Sequence, residues 1–234
     1  MIIDHKHPVY VNRRRLSGEN RHNGAYYYSR EITELMIPLV ETDRSWVTIN
    51  IPHVCCDHAI VFIHNNLDAA AYDHLKEFDD LVLVCGIPET CEKVAHLGKP
   101  IYLPLSVDVA SVERFKIEKS QDAAFVGRPA KRRLPGVELP AGVAFLEGMP
   151  RDYLLAAMAQ YRKVYAVGRV AIEAKILGCE VLPYDPRFPD PDIWQVLDTR
   201  EAAKILQKKL EDIDGRKTDA AGTDQAIREK PEEE

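Results

Sequence analysis

The sequence has no long apolar run and no paired cysteine motif, and each absence makes a class of protein improbable. No stretch approaches the roughly 18 apolar residues that a helix needs to cross a bilayer, and the first residues have no apolar core of signal-peptide length. The five cysteines are an odd number at scattered spacings without a Cys-x-x-Cys pair, which argues against a disulfide framework. We therefore expect a reduced, cytoplasmic protein with no membrane span.

The chain also lacks an excess of basic residues. Its formal net charge is −6, so the molecule as a whole repels the phosphates of nucleic acids and of anionic membranes. A role on nucleic acid would need a local basic patch, for which the arginines near the N-terminus are the candidates: Arg13, Arg14, Arg15 and Arg21. Almost nothing apolar follows Ile213, which predicts a disordered charged tail over 211–234.

Short β-rich runs alternate with amphipathic stretches of helical length, a pattern typical of parallel sheets covered by helices. The predicted strands are 8–12, 46–51, 59–64, 81–85, 101–103, 124–127, 143–146, 164–167 and 181–184. The predicted helices are 28–39, 67–78, 88–97, 150–161, 170–177 and 198–210. One course open to the last helix is a return across the molecule. The alternation restarts after a proline-containing connector, which predicts two α/β lobes, over 1–105 and 106–210.

The most informative stretch is 163–185, where a strand ends, Gly168 permits a tight turn and a helix begins near Val170. Free backbone N–H groups and the positive end of the helix dipole make such a start suitable for an anion. Glu173 lies one turn into the helix, where a carboxylate can accept two ribose hydroxyls. Alternatively, Gly168 only makes a turn and Glu173 only complements the dipole.

This strand, Gly-Arg-x-Ala-Ile-Glu-Ala and the following Leu-Gly-Cys-Glu-Val-Leu resemble the donor-site helix of GT-B glycosyltransferases, most closely the family 4-like branch. The resemblance implies two Rossmann-like lobes with a cleft between them, an acceptor side in the N-terminal lobe and a donor side in the C-terminal lobe. It implies that Glu173 holds the donor ribose, and that Gly168, Arg169 and Val170 belong to the donor site.

A second segment, 123–133, resembles the first strand of the C-terminal lobe in the same family. There the following Gly-Arg and Lys neutralise the donor diphosphate, a role that falls on Gly127, Arg128 and Lys131. Without the resemblance, the basic residues 131–133 would be interpreted as a solvated turn. Further segments agree in order, so the resemblance spans about residues 8–185.

The chain departs from the family at two places. In the retaining branch a second Glu lies eight residues before the ribose-binding one, and here that position is Tyr165. The glycine-rich loop after the first strand is reduced to Asn23-Gly24, and arginines and His22 take its place. Both lobes are also shorter than is usual for the family.

Two histidine-containing segments are candidates for further sites. His64 ends the third predicted strand, where open α/β sheets bind ligands, and its near-neutral pKa suits an acceptor-side base; a packing or capping role is the alternative. The segment 53–58 contains His and Cys residues, but adjacent cysteines do not readily place both sulfurs on one tetrahedral ion, so we expect no metal.

We therefore expect a hexosyltransferase-type enzyme that takes a nucleotide-diphosphate sugar as donor and requires no further cofactor. The sequence does not identify the acceptor, the base or the sugar. Two alternatives stay open: a non-catalytic nucleotide or nucleotide-sugar binding protein, and a nucleic-acid-modifying glycosyltransferase.

Overall fold

The computed structural model describes residues 9–10, 24–48, 55–63 and 67–228, with side chains up to Gly215. No helix in these ranges is long and apolar enough to cross a membrane.

The first half of the chain forms a five-stranded parallel sheet whose strand order follows the sequence, β1-β2-β3-β4-β5. Its strands are β1 (Val9–Tyr10), β2 (Ser45–Val47), β3 (Ala59–Ile63), β4 (Val82–Cys85) and β5 (Lys99–Tyr102). Each overlaps a strand predicted from the sequence. Parallel neighbours need a crossover connection, and helical segments provide it between most of them.

The second half forms a separate four-stranded parallel sheet in the order β7-β6-β8-β9. Its strands are β6 (Gln121–Val126), β7 (Ala144–Leu146), β8 (Tyr161–Tyr165) and β9 (Glu180–Leu182). Among the described residues no strand joins the two sheets, and the change of sheet falls between Tyr102 and Gln121. The predicted α/β class with two parallel sheets is confirmed, whereas the cleft between them stays a prediction.

Six α-helices accompany the described strands. They are α1 (Gly24–Glu31), α2 (Pro88–Val94), α3 (Val109–Glu113), α4 (Arg151–Met158), α5 (Arg169–Ile176) and α6 (Thr199–Arg228). Directly after α1 the backbone widens into a π-helix, Ile32–Met36, and then tightens into a 3-10 helix, Ile37–Leu39. The segment predicted as a helix over 67–78 is a 3-10 helix, Ala69–Glu77.

Strand β3 shows why the first sheet was legible in the sequence. Ile60 and Phe62 face one hydrophobic core and Val61 and Ile63 face another, and all four are buried. Side chains alternate between the two faces of a strand, so a strand covered on both sides is apolar throughout. Helices α1 and α6 cover the first face, and the 3-10 helix at 69–77 and α2 cover the second.

Helix α6 returns from the second half to cover the first sheet. Its buried residues Ala202, Ala203, Leu206 and Leu210 belong to the same hydrophobic core as Tyr28 and Ile32 of the α1 segment. Where the chain crosses back, Val107 N donates to Leu197 O at 3.0 Å and Thr199 N donates to Val107 O at 3.2 Å. The two connections between the halves therefore lie side by side.

The last helix, α6, is longer than the sequence predicts. The sequence predicts a helix end near Leu210, but α6 continues to Arg228. The disorder predicted over 211–234 stays a prediction. Beyond Leu210, Asp214 Oδ1 accepts a hydrogen bond at 2.7 Å from Nη2 of Arg44, a side chain without solvent exposure. An ion pair thus joins this part of α6 to Arg44, directly before β2.

Candidate functional site

The neighbouring strands β6 and β8 bring the two predicted donor-site segments to one edge of the second sheet. They pair in parallel with Phe125 opposite Tyr165. Gly127 and Gly168 follow these strands at their carboxyl ends, and both ends lie at the same edge. Open α/β sheets bind ligands beyond the carboxyl ends of their strands.

Gly127 lies close to the aromatic side chains of Phe125 and Tyr184. A Cβ atom at this position would lie 3.0 Å from Cζ of Phe125 and 3.7 Å from the hydroxyl oxygen of Tyr184. The rings of Phe125 and Tyr184 pack edge to face, 4.9 Å apart, which fixes these neighbours in place. A side chain at residue 127 would therefore crowd the Phe125 ring, whereas its contact with Tyr184 would be an ordinary one.

Gly168 is required by its backbone angles. It caps the N-terminus of α5 with φ 67° and ψ −142°, a combination that residues with a side chain rarely adopt. A Cβ built at this residue would meet no atom within 4 Å. The space beside the Cβ position of Gly168, directly before α5, is therefore open.

Arg187 and Lys131 lie near Asp185, which follows β9 at the same edge, and Arg128 lies near Lys131. Arg187 holds its carboxylate in a two-point pair, Nε to Oδ1 at 2.9 Å and Nη2 to Oδ2 at 2.6 Å. This hydrogen bonding lowers the pKa of Asp185 although burial opposes it. Burial lowers the pKa of Lys131, and nearby Arg128 and Arg187 lower it further while Asp185 opposes them. The edge thus concentrates positive charge beside one neutralised carboxylate.

The three consecutive basic residues 131–133 do not act as one patch. Lys131 is half-buried and close enough to Asp185 for the carboxylate to act on its pKa. Arg132 instead lies 4.6 Å over the ring of Phe145 and 3.5 Å from Oε1 of Glu147. Arg133 is exposed, whereas Lys131 and Arg132 are half-buried.

Glu173 is buried in an ion-pair cluster rather than exposed on the outer surface. Its Oε1 accepts from Arg169 Nε at 2.8 Å and lies 3.0 Å from Arg151 Nη2. Only 3% of the residue is accessible to solvent. Ala174 and Leu177 pack into the core on the covered face of the helix, whereas Val170 is half-buried at its start.

Arg169 connects this cluster to the first half of the molecule. It donates from Nη1 to Oε2 of Glu31 at 3.0 Å and from Nη2 to Oε1 at 2.5 Å. Burial lowers the pKa of Arg169, but Glu173 and Glu31 outweigh that effect and the net shift is upward. Arg169 therefore faces Glu31 of α1. The place in the donor site that the sequence predicts for it stays a prediction.

Arg151, at the start of α4, completes the cluster. Its guanidinium lies 3.4 Å from Oε1 of Glu31 and stacks over the ring of Tyr27 at 4.9 Å. The cluster defined by Glu31, Arg151, Arg169 and Glu173 has two positive and two negative charges, so it is neutral overall.

Several sequence-based candidates lie outside the described residues. These are His64, Asn23, His22, His53 and the arginines at 13, 14, 15 and 21. Their proposed roles, including the nucleic-acid patch, stay predictions. Within the described ranges no group of three or more His, Cys, Asp or Glu residues could hold a metal ion.

A cavity of about 380 Å³ lies at the edge of the first sheet where β4 and β5 begin, which is the edge formed by the amino ends of the strands. Its charged lining is paired: Lys99 Nζ lies 3.3 Å from Asp80, and Lys76 Nζ lies 2.7 Å from Asp73. Asp80 also contacts His58 at 2.7 Å. Because ligands of open α/β sheets bind at the carboxyl edge instead, we do not place the candidate site here.

Sequence reasoning missed Glu31, Arg151, Asp185 and Arg187. The tripeptide Asp185-Pro-Arg187 follows a predicted strand at its carboxyl end, and that position alone was a usable signal. Glu31 and Arg151 gave no local signal, because their partners are distant in the chain.

Comparison with known proteins adds no relative: no family model, no curated protein and no solved structure matches this chain.

Proposed function

We propose that the chain binds a nucleotide-diphosphate sugar at the carboxyl edge of the second sheet and transfers the sugar to an acceptor. The parallel pairing of β6 with β8 is the main support for this proposal. It places the start of α5 and the cationic residues after β6 at one edge.

In this proposal Arg128 and Lys131 neutralise the diphosphate, and the open start of α5 at Gly168 receives one phosphate through its backbone N–H groups. When the bond between sugar and diphosphate breaks, negative charge develops on the leaving group. Fixed cations aimed at that charge stabilise the transition state more than the ground state, which lowers the barrier. The cations already present provide this stabilisation, so the proposal includes no metal.

Glu173 is the proposed ligand of the donor ribose. Its described hydrogen bonds and ion pairs all go to Oε1, from Arg169 and Arg151. Oε2 is therefore the proposed acceptor of hydrogen bonds from the ribose hydroxyls. The arginines would hold the carboxylate in a fixed orientation while that second oxygen accepts.

A non-catalytic binding protein is the second candidate. Tyr165, at the end of β8, stands where the retaining branch has its first Glu, and it packs against the core formed by Phe125 and Tyr184. A packed aromatic side chain at that position favours a site that keeps the donor and lacks part of the transfer machinery.

A thermal-shift screen of nucleotide sugars, free nucleotides and nucleosides tests binding. A ligand at 100 times its dissociation constant stabilises a fold by about 2.7 kcal/mol. We expect nucleotide-diphosphate sugars to stabilise the protein and nucleosides to do so much less. A hydrolysis or transfer assay on any hit then separates an enzyme from a binding protein, and the absence of any nucleotide-dependent shift would refute both candidates.

A further inference from the structure

Glu31 joins the two halves of the molecule through a single carboxylate. It comes from α1 in the first half, and both of its oxygens accept from Arg169 of α5 in the second half. The same carboxylate lies 3.4 Å from Arg151 and accepts the backbone N–H of Asp108 at 2.9 Å. The Glu31 carboxylate thus contacts two guanidinium groups and the backbone N–H of Asp108.

The two arginines have the geometry of an anion receptor. Arg169 offers Nη1 and Nη2 side by side, the arrangement with which guanidinium groups bind carboxylates and phosphates alike. Arg151 Nη2 is buried and lies 3.0 Å from Oε1 of Glu173, yet it is not aligned with any acceptor for a hydrogen bond. Arg151 thus reaches Glu173 through Nε and Nη2 and Glu31 through Nη1, so its guanidinium group is shared between two carboxylates.

Open space and a break in the helix lie next to this receptor. Arg169 is the first residue of α5, directly after Gly168, whose Cβ position has no atom within 4 Å. On the other side, α1 changes into a π-helix immediately after Glu31. Such π-helical turns occur frequently at functional sites, because they redirect the side chains beside them.

We propose that Glu31 is an internal occupant of an anion receptor formed by Arg169 and Arg151, and that a diphosphate displaces it. This inference rests on the proposed function: the phosphate proposed to bind at the start of α5 also reaches the guanidinium groups of Arg169 and Arg151, which adds a regulatory contact to the same site. A diphosphate has more negative charge than one carboxylate, so both guanidinium groups stay neutralised when Glu31 leaves. Its departure breaks the ion pair between α1 and α5, which opens the junction between the halves when the ligand binds.

Calorimetric titration with inorganic pyrophosphate tests this inference on the full chain. We compare the wild type with Glu31→Gln, and we use Glu34→Gln as the matched control. Glu34 lies in the next turn and pairs at the surface with Arg30. Glu31→Gln removes the competing charge, so it is expected to bind pyrophosphate at least about tenfold more tightly, equivalent to about 1.4 kcal/mol. Glu34→Gln is expected to match the wild type.

Loss of Glu31 also removes a partner of the buried Arg169, so Glu31→Gln is expected to melt at a lower temperature. A purely structural ion pair would give this loss without tighter pyrophosphate binding, and that result overturns the inference. Should Glu31→Gln fail to fold, Glu31→Asp keeps the charge and withdraws the carboxylate by one methylene group. It is expected to tighten binding by a smaller factor, and unchanged affinity would again overturn the inference.

Nucleotide-sugar titrations separate this inference from the proposed function. Equal affinity of a nucleotide sugar for the wild type and Glu31→Gln would leave the donor site standing and overturn the displacement of Glu31. Tighter pyrophosphate binding by Glu31→Gln without binding of any nucleotide sugar would support the receptor and refute the donor proposal.

Discussion

Arg169 and Glu31 are 138 positions apart in the chain and form a buried two-point ion pair, with Nη1 3.0 Å from Oε2. Arg169 also holds Glu173 one turn further along α5. A single guanidinium therefore links the first half of the molecule to the residue proposed to bind the donor ribose. Substitution of Arg169 should therefore affect both the stability of the fold and the binding of a donor.

The variant Arg169→Gln tests the contribution of this pair to stability. Removing one partner of a buried pair leaves uncompensated charge and typically costs about 3–5 kcal/mol. Arg30→Gln is the control, because the exposed pair of Arg30 with Glu34 is expected to contribute less than about 1 kcal/mol. Urea unfolding measures both. Similar losses in the two variants would show that the cluster does not bind the halves together.

Helix α6 offers a matched test of its docking on the first sheet. Leu206 is fully buried in the core shared with α1, whereas its neighbour Ile205 is exposed. Leu206→Ala is expected to lower the free energy of unfolding by about 2–5 kcal/mol, and Ile205→Ala by about 0.5 kcal/mol or less. Equal effects in denaturant unfolding would mean that α6 does not pack as described.

The ion pair of Asp185 with Arg187 predicts a specific pH dependence. The folded pKa of Asp185 is lowered, so its contribution to stability is fully present above the unfolded pKa and is lost as the pH falls through the folded one. Unfolding of the wild type and Asp185→Asn should therefore differ most above about pH 5, and the difference should shrink toward pH 2. A difference that grows on acidification would contradict the ion pair.

The ribose role of Glu173 predicts discrimination between nucleotides and their 2′-deoxy analogues. A hydrogen bond to a charged group contributes about 1.5–3 kcal/mol, so the wild type should prefer the ribose form by roughly 10- to 150-fold. Glu173→Gln should lose most of that preference. Glu180→Gln is the control, since Glu180 is exposed where β9 begins. If Glu173→Gln retains the full preference in calorimetric titrations, the proposed role is wrong.

The sequence was most informative where burial alone decides the structure. Strand β3 could be predicted because both of its faces are covered, which forces the apolar run Ala59–Ile63. The turn at Gly168 was also legible, since few residues other than glycine adopt its backbone angles.

Contacts between distant residues could not be predicted in this way. No periodicity in α1 indicates that Glu31 faces Arg169, because the pairing depends on how the two halves pack. The length of α6 could not be predicted for the same reason, since the partner of Asp214 is Arg44, 170 positions away.

Affinity for a nucleotide-diphosphate sugar, measured beside that for the bare nucleoside, tests the proposed donor site most directly. Arg128→Ala removes an exposed cation after β6, and Arg133→Ala removes an exposed cation five residues further on as the control. A lost hydrogen bond to the charged diphosphate should weaken the nucleotide sugar roughly 10- to 150-fold and leave the nucleoside nearly unchanged. Unchanged affinity of Arg128→Ala for the nucleotide sugar, or an equal loss in Arg133→Ala, would contradict a diphosphate site at this edge.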